Sequence, residues 1–200
     1  MELQHLEVRL PLTVAEDFDP GEAIPVFHDW VRRQVAEEML IDVADYRHVP
    51  GGPGIVLVGH EADYALERPA RGESAGLHYR RKTALPGSNS GRLAQALGAA
   101  LRAAQRIAAE PALQGRLAAR LDGLRVTVND RLLAPNTAET ATALLPEIEA
   151  WFAQALGHEE FSLVWDDEPR RRFAVTLRST QAIKAESLLE RLAAAPGAAS

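Results

Sequence analysis

The chain has 200 residues, 46% of them hydrophobic, a formal net charge of −6 and no cysteine. Without cysteine there is no disulfide, no thiol nucleophile, no iron–sulfur ligation and no cysteine-held zinc. The acidic balance, with a pI near 5.5, argues against sequence-independent binding to nucleic acid and against an anionic membrane surface, both of which need basic residues.

The amino terminus, MELQHLEVRL, has no basic segment followed by an apolar one, so no secretory leader is predicted. No apolar run approaches the roughly 20 residues of a membrane helix. A cytosolic (cytoplasmic) protein is expected.

Leu6, Val8, Leu10, Leu12 and Val14 alternate with His5, Glu7, Arg9 and Thr13, the period of a half-buried strand. Asp19-Pro20-Gly21-Glu22 then reads as a helix start, with Asp19 as cap, Pro20 at the first position and Glu22 completing a capping box. Ile24, Phe27, Val31 and Val35 follow at helical spacing, and this helix is expected to fade by about Met39. A loop-rich segment, 42–54, leads into a long strand, Ile55 to Leu66. An acidic, glycine-containing break at 67–74 precedes a partner strand, Ala75 to Lys82. Ser88-Asn89-Ser90 caps an alanine-rich helix through about Glu110, and a short helical piece is expected over 116–121.

The second half follows the same plan. Leu124, Val126 and Val128 alternate as a strand, and Asn136 with Glu139 offers a helix start. Leu145, Ile148, Trp151, Phe152 and Leu156 are in helical register. Phe161, Leu163 and Trp165 run into an Asp-Asp-Glu-Pro turn, and Phe173, Val175 and Leu177 run out of it as a hairpin. A last helix is expected from about Thr180 to Ala194, and residues 196–200 read as a flexible tail.

Both halves therefore read strand, helix, hairpin, helix. Each first helix carries a proline five residues before a tryptophan, Pro25 to Trp30 and Pro146 to Trp151. An internal duplication is one explanation, in which the first copy gained an insert at 40–58. Convergence on a common element order is the other. The expected architecture is α+β, antiparallel hairpins with helices on one face. The boundaries are 1–112 and 119–195, as two lobes or one merged sheet.

The segment from Leu40 to Glu67 concentrates the side chains that could carry chemistry. It places Asp42, Asp45, Tyr46, His48, His60, Glu61 and Tyr64 around a Gly-Gly-Pro-Gly turn, with His78 and Tyr79 on the partner strand. Prolines hold such a loop still, and glycines let a ligand approach the backbone. His48, His60 and a carboxylate, with His28 as a third histidine, form a candidate divalent-metal set in which Asp42, Asp45 or Glu61 is the acid. Their spacing matches no metal motif, and His28 reads equally as a histidine sealing the core edge. Glu61 and Asp63 read more simply as cross-strand partners of His78, Arg80 and Lys82. No serine sits in a G-x-S-x-G elbow, and no glycine-rich phosphate loop or dinucleotide fingerprint is present. Arg131, in Asn129–Thr137, could clamp an anion, although turn and cap chemistry explain that segment.

Taken together, IDVADYRHVPGGPG, LVGHEADY, LHYRRK and NDRLLAPNT resemble a family of bacterial proteins to which no activity is assigned, over about 24–140. The resemblance implies a cytosolic bacterial origin and no cofactor, partner or site residue. Arg80 stands where it leads one to expect asparagine.

The leading expectation is a non-catalytic or accessory protein that binds a small molecule or a protein through the surface between Asp42 and Tyr64. A metal-dependent hydrolase using His48, His60 and a carboxylate is the alternative. A structural subunit forming homodimers is a third. The hydrolase predicts that those side chains converge in a pocket. The subunit predicts Trp30 or Trp151 partly exposed on a flat face.

Overall fold

The alternation that opens the chain becomes β1, Leu6–Val14, and β1 is the centre of the molecule. The computed structural model describes residues 1–67, 74–158 and 160–194. Residues 196–200, read as a tail, and most of the break at 67–74 lie outside them. Nine strands among the described residues form one antiparallel sheet, and four α-helices accompany it, an α+β fold.

The capping box at Asp19 forms, but around a 3-10 turn, Pro20–Ala23, that hands over to α1, Ile24–Arg33. This helix stops six residues earlier than expected. Gln34 turns left-handed (φ 50°), and its side-chain amide pairs with Leu40, donating to the Leu40 carbonyl and accepting from the Leu40 N–H. The buried stripe of α1 is Val26, Phe27 and Trp30, with Ile24 and Val31 at its edge.

Three expectations change between 40 and 121. The 42–54 segment contains a strand, β2, Leu40–Asp45. The expected strand from Ile55 to Leu66 is two strands, β3 (Ile55–Gly59) and β4 (Ala62–Glu67), folded so that Ile55 faces Leu66 and Leu57 faces Tyr64. The chain turns at Gly59, where a Cβ would lie 2.3 Å from the carbonyl oxygen of Ala62. Lys82 secures the turn by donating to the Gly59 carbonyl and to Asp63. The partner strand forms as β5, Gly76–Arg81, and α2 runs Asn89–Ala109 from a Ser88 cap. The expected helical piece at 116–121 is instead β6, Leu117–Ala119, which pairs with the end of β1.

In the second half β7 is Arg125–Val128, and α3 is Ala138–Leu156, capped by Thr137 rather than Asn136. Asn136 pins the β8–β9 hairpin, donating to the carbonyls of Asp166 and Glu168 and accepting from Trp165. That hairpin is Phe161–Trp165 and Ala174–Ser179. Arg131 donates to the Arg170 carbonyl. The last helix, α4, Ala185–Ala194, starts five residues later than expected.

The sheet order is β2-β3-β4-β5-β1-β7-β9-β8. Strands of both halves thus share one sheet, joined where β1 pairs with β7. Around that pair the order is mirrored: β5 and then β4 flank β1 as β9 and then β8 flank β7. The β2–β3 hairpin extends the first half at the position of the 40–58 insert. This correspondence is one of topology and does not by itself establish duplication. Leu6, Val8, Leu10 and Leu12 of β1 sit in a continuous core with Leu93, Leu97, Leu101 and Phe152 of the helices. Alanines of α2, including Ala96, Ala100 and Ala104, are buried in that core. Among the described residues, no helix is long and apolar enough to cross a membrane.

Gly59→Ala should destabilise the fold by about 1–3 kcal/mol, because backbone rather than a movable side chain occupies the space. Urea unfolding measures this, and an unchanged midpoint would show that the turn tolerates a side chain.

Candidate functional site

The two faces of the sheet hold different polar clusters, and the helix-covered one contains a cavity. Its floor is the register of β4 and β5, which places Tyr64 directly opposite Tyr79, with ring centroids 5.3 Å apart and nearly edge-on. Both phenols donate to Glu38, Tyr64 at 2.8 Å to Oε2 and Tyr79 at 2.9 Å to Oε1. Gln95 of α2 donates to the Tyr79 oxygen at 2.8 Å and to Glu38 at 3.4 Å. Glu38 is 5% exposed. It is delivered by the loop after α1, which the Gln34–Leu40 amide pairing closes.

Burial, then the neighbouring Glu38 carboxylate, pushes both phenols well above the ordinary range, so they remain protonated donors. The partners of Glu38 among the described residues are thus neutral. Above them opens a cavity of about 150 Å³. Trp30, Val35, Leu57, Ala99 and Ala103 supply its apolar wall, and Glu37, Arg102 and Arg106 line it as well. Trp30 is fixed by donating to Glu110 at 2.6 Å. Arg102 pairs with Glu37 at 3.1 Å. Arg106 makes no hydrogen bond or ion pair among the described residues.

The opposite face carries a second cluster. His78 donates through Nδ1 to Glu7 at 3.0 Å and through Nε2 to Glu67 at 3.1 Å, so both ring nitrogens bear protons. Arg80 and Arg172 also bond Glu7, and Arg9 bonds Glu67. Burial pulls the His78 pKa down, but hydrogen bonds to Glu67 and Glu7 and their charges outweigh it and raise the pKa above its ordinary value. Burial likewise opposes ionisation of Glu7 and Glu67, yet His78 and the arginines hold both below the usual carboxylate range. Every charge here has a partner, as a structural network requires.

Of the residues expected at a site, Tyr64 lines the cavity and Tyr79 bonds Glu38 beside it. His78 belongs to the opposite face. Asp45 is held by Arg47 at the surface, Asp42 accepts from the next backbone N–H, and Tyr46 and His48 stack on each other in the exposed β2–β3 loop. His60 is exposed in the β3–β4 turn, with its backbone N–H on the Met39 carbonyl. His48 and His60 lie at opposite ends of β3, and His28 is exposed on α1. Among the described residues no group of three or more His, Asp or Glu is placed to hold a metal ion, so His48, His60, His28 and Asp45 do not assemble. His60 and Tyr64 are kept apart because the chain reverses at Gly59. Asp63 pairs with Lys82 as expected, whereas one oxygen of Glu61 is buried without a hydrogen-bond partner among the described residues.

Sequence reasoning missed Glu38, Gln95, Trp30, Arg102 and Arg106 as site residues. One signal was legible: Gln95, Ala99, Arg102 and Arg106 recur at three- and four-residue spacing beside the alanine face of α2. No family model matches the chain, and no curated protein or solved structure matches it significantly.

The sign of the pH dependence follows from the second cluster. The contribution of His78 is complete below its ordinary 6.5 and is lost as pH rises through the raised folded value. That of Glu7 and Glu67 is complete above 4.5 and is lost as pH falls through their lowered values. Stability should therefore be greatest between about pH 4.5 and 6.5 as far as this network decides. His78→Leu should flatten the alkaline decline and cost about 1–3 kcal/mol, because Glu7 keeps its arginines but one of its buried oxygens loses its donor. Urea midpoints across pH measure both. A mutant whose decline parallels the wild type would assign that decline elsewhere.

Proposed function

We propose that this protein binds a small ligand, without transforming it, in the cavity over Glu38. The observation that carries the reading is a buried carboxylate held by two protonated tyrosines at the wall of a cavity that joins an apolar surface to a few charged side chains. Binding sites have this composition, an apolar lining with a few fixed polar groups. A cavity of about 150 Å³ suits a molecule in the size range of benzene, which an engineered apolar cavity of that volume accepts. The raised tyrosine pKa values support holding over proton transfer, because neither phenol exchanges its proton near neutral pH.

Self-assembly has less support. Trp30 and Trp151 are 3% and 8% exposed, so neither forms a flat docking face. The exposed apolar side chains Met39, Ile41, Tyr46 and Val49 cluster at the β2 edge. That edge also carries a register irregularity between Leu40 and Asp42 and the acids Asp42 and Asp45. Bulges and charges are the devices that keep an edge strand from adding another.

The test is a thermal-shift panel of benzoate, benzylamine and benzyl alcohol on wild type and Ala103→Leu. The leucine fills the cavity and should itself stabilise by about 1 kcal/mol. At a hundredfold excess over Kd, one ligand should stabilise the wild type by about 2.7 kcal/mol, roughly 5–10 °C for a chain of this length. It should leave Ala103→Leu unmoved. No shift with any compound, or an equal shift in both proteins, would sink the reading.

A further inference from the structure

We infer that the ligand is a short amphoteric molecule, an ammonium at one end and a carboxylate at the other, held between Glu38 and Arg106. The inference rests on the reading that the cavity is a ligand site and names the chemistry of its occupant. Three observations combine.

The inner end is an anion that no cation bonds directly, Arg102 acting on the neighbouring Tyr64 and Arg81 on Tyr79 rather than on the carboxylate itself. Glu38 accepts from Tyr64, Tyr79 and Gln95, all neutral, and no cationic nitrogen pairs with it among the described residues. A buried charge is favourable only when paired as well as hydrogen-bonded. Each carboxylate oxygen retains acceptor capacity beyond the bonds it receives. A ligand ammonium supplies both the missing charge and the missing donors. Tyr64 and Trp30, on the same wall, offer aromatic surface that suits a cation.

The outer end is a cation without a partner. Arg106 lines the cavity unpaired, beside Arg102, whose bond to Glu37 leaves donors over. Two guanidiniums side by side suit a carboxylate, since each presents a planar fork of donors.

The length between them is set by α2. Gln95, which touches Glu38, and Arg106 are eleven residues apart, a rise of roughly 16 Å. Arginine side chains on a helix lean toward its amino terminus, so both guanidiniums reach back toward Glu38 and shorten the gap. The intervening wall, Leu57, Ala99 and Ala103, has no polar side chain and suits a methylene spine.

The probes are 6-aminohexanoate, hexanoate and hexylamine, titrated calorimetrically into the full chain. 6-Aminohexanoate should bind at least about tenfold tighter than either one-ended compound, the factor expected of one charged hydrogen-bonded contact. Glu38→Gln should remove that advantage over hexanoate. Arg106→Ala should weaken 6-aminohexanoate and hexanoate alike and spare hexylamine. Should Glu38→Gln fail to fold, Arg106→Ala, at an exposed position, carries the test with the three compounds alone. Equal affinity for 6-aminohexanoate and a one-ended compound would overturn the two-ended ligand. The cavity reading would then survive only if that binding vanished in Ala103→Leu. No binding of the three by a protein that still responds to the aromatic panel would overturn the amphoteric class by itself. Silence in both assays would remove class and cavity together.

Discussion

Glu38 takes a negative charge into a wall of apolar side chains, and the surrounding structure is arranged to keep it there. Removing a carboxylate from water costs several kcal/mol even after the protein relaxes around it. Hydrogen bonds from two phenols offset part of that cost. Those phenols are correctly placed only because β4 and β5 pair Tyr64 opposite Tyr79. That register depends in turn on β3 and β4 reversing tightly at Gly59. The loop that carries Glu38 is closed by a single glutamine, Gln34, whose amide stands in for a strand partner at Leu40. Backbone turn, cross-strand pair and side-chain clamp thus converge on one carboxylate.

The same sheet shows what a charge looks like when it serves the fold alone. On the opposite face Glu7 receives bonds from His78, Arg80 and Arg172, and Glu67 from His78 and Arg9. Each negative charge there faces positive charge in excess, and both carboxylates ionise more readily than in water. Glu38 is as deeply buried as Glu7, yet its partners carry no charge. The cavity lies at Glu38, and the unpaired Arg106 lines the same space. Buried polarity marks a site when its charge is incompletely matched, and it marks structure when the matching is complete.

Much of the scaffold was legible because it rests on local rules. The alternation of β1, the Ser88 cap of α2 and the β8–β9 hairpin are each set by residues within a few positions of one another. The single long strand from Ile55 to Leu66 failed for a physical reason. An apolar run of that length reads alike as one strand or as two folded together, and the deciding fact is the close approach of Gly59 to Ala62. At 117–119 helical propensity lost to the open edge of β1. The site was less legible still. Glu38 meets Tyr64 and Tyr79 across separations of 26 and 41 residues, and no local pattern announces such a meeting. His48, His60 and Asp45 drew notice because histidines and acids beside glycines are conspicuous in a sequence. In the fold all three are exposed, Asp45 at the end of β2, His48 in the loop before β3 and His60 in the turn after it.

The mirrored order of the strands explains where the cavity had to arise. Each half leaves a space between the end of its first helix, the segment that follows and its second helix. In the second half that space is a cleft of about 220 Å³ lined, among the described residues, by side chains including His158, Lys184 and Arg191 and by no carboxylate. There β8 and β9 face each other through Leu163 and Leu177, where the first half has its tyrosine pair. In the first half the β2–β3 hairpin draws the chain after α1 back across the sheet edge. Its route sets Glu38 over the tyrosine pair, and Leu57 of β3 adds apolar wall to the same space. Two spaces of corresponding topology thus differ in chemistry through one hairpin and one cross-strand pair. The first has a buried carboxylate at its floor; the second, among the described residues, is lined by cationic and neutral groups.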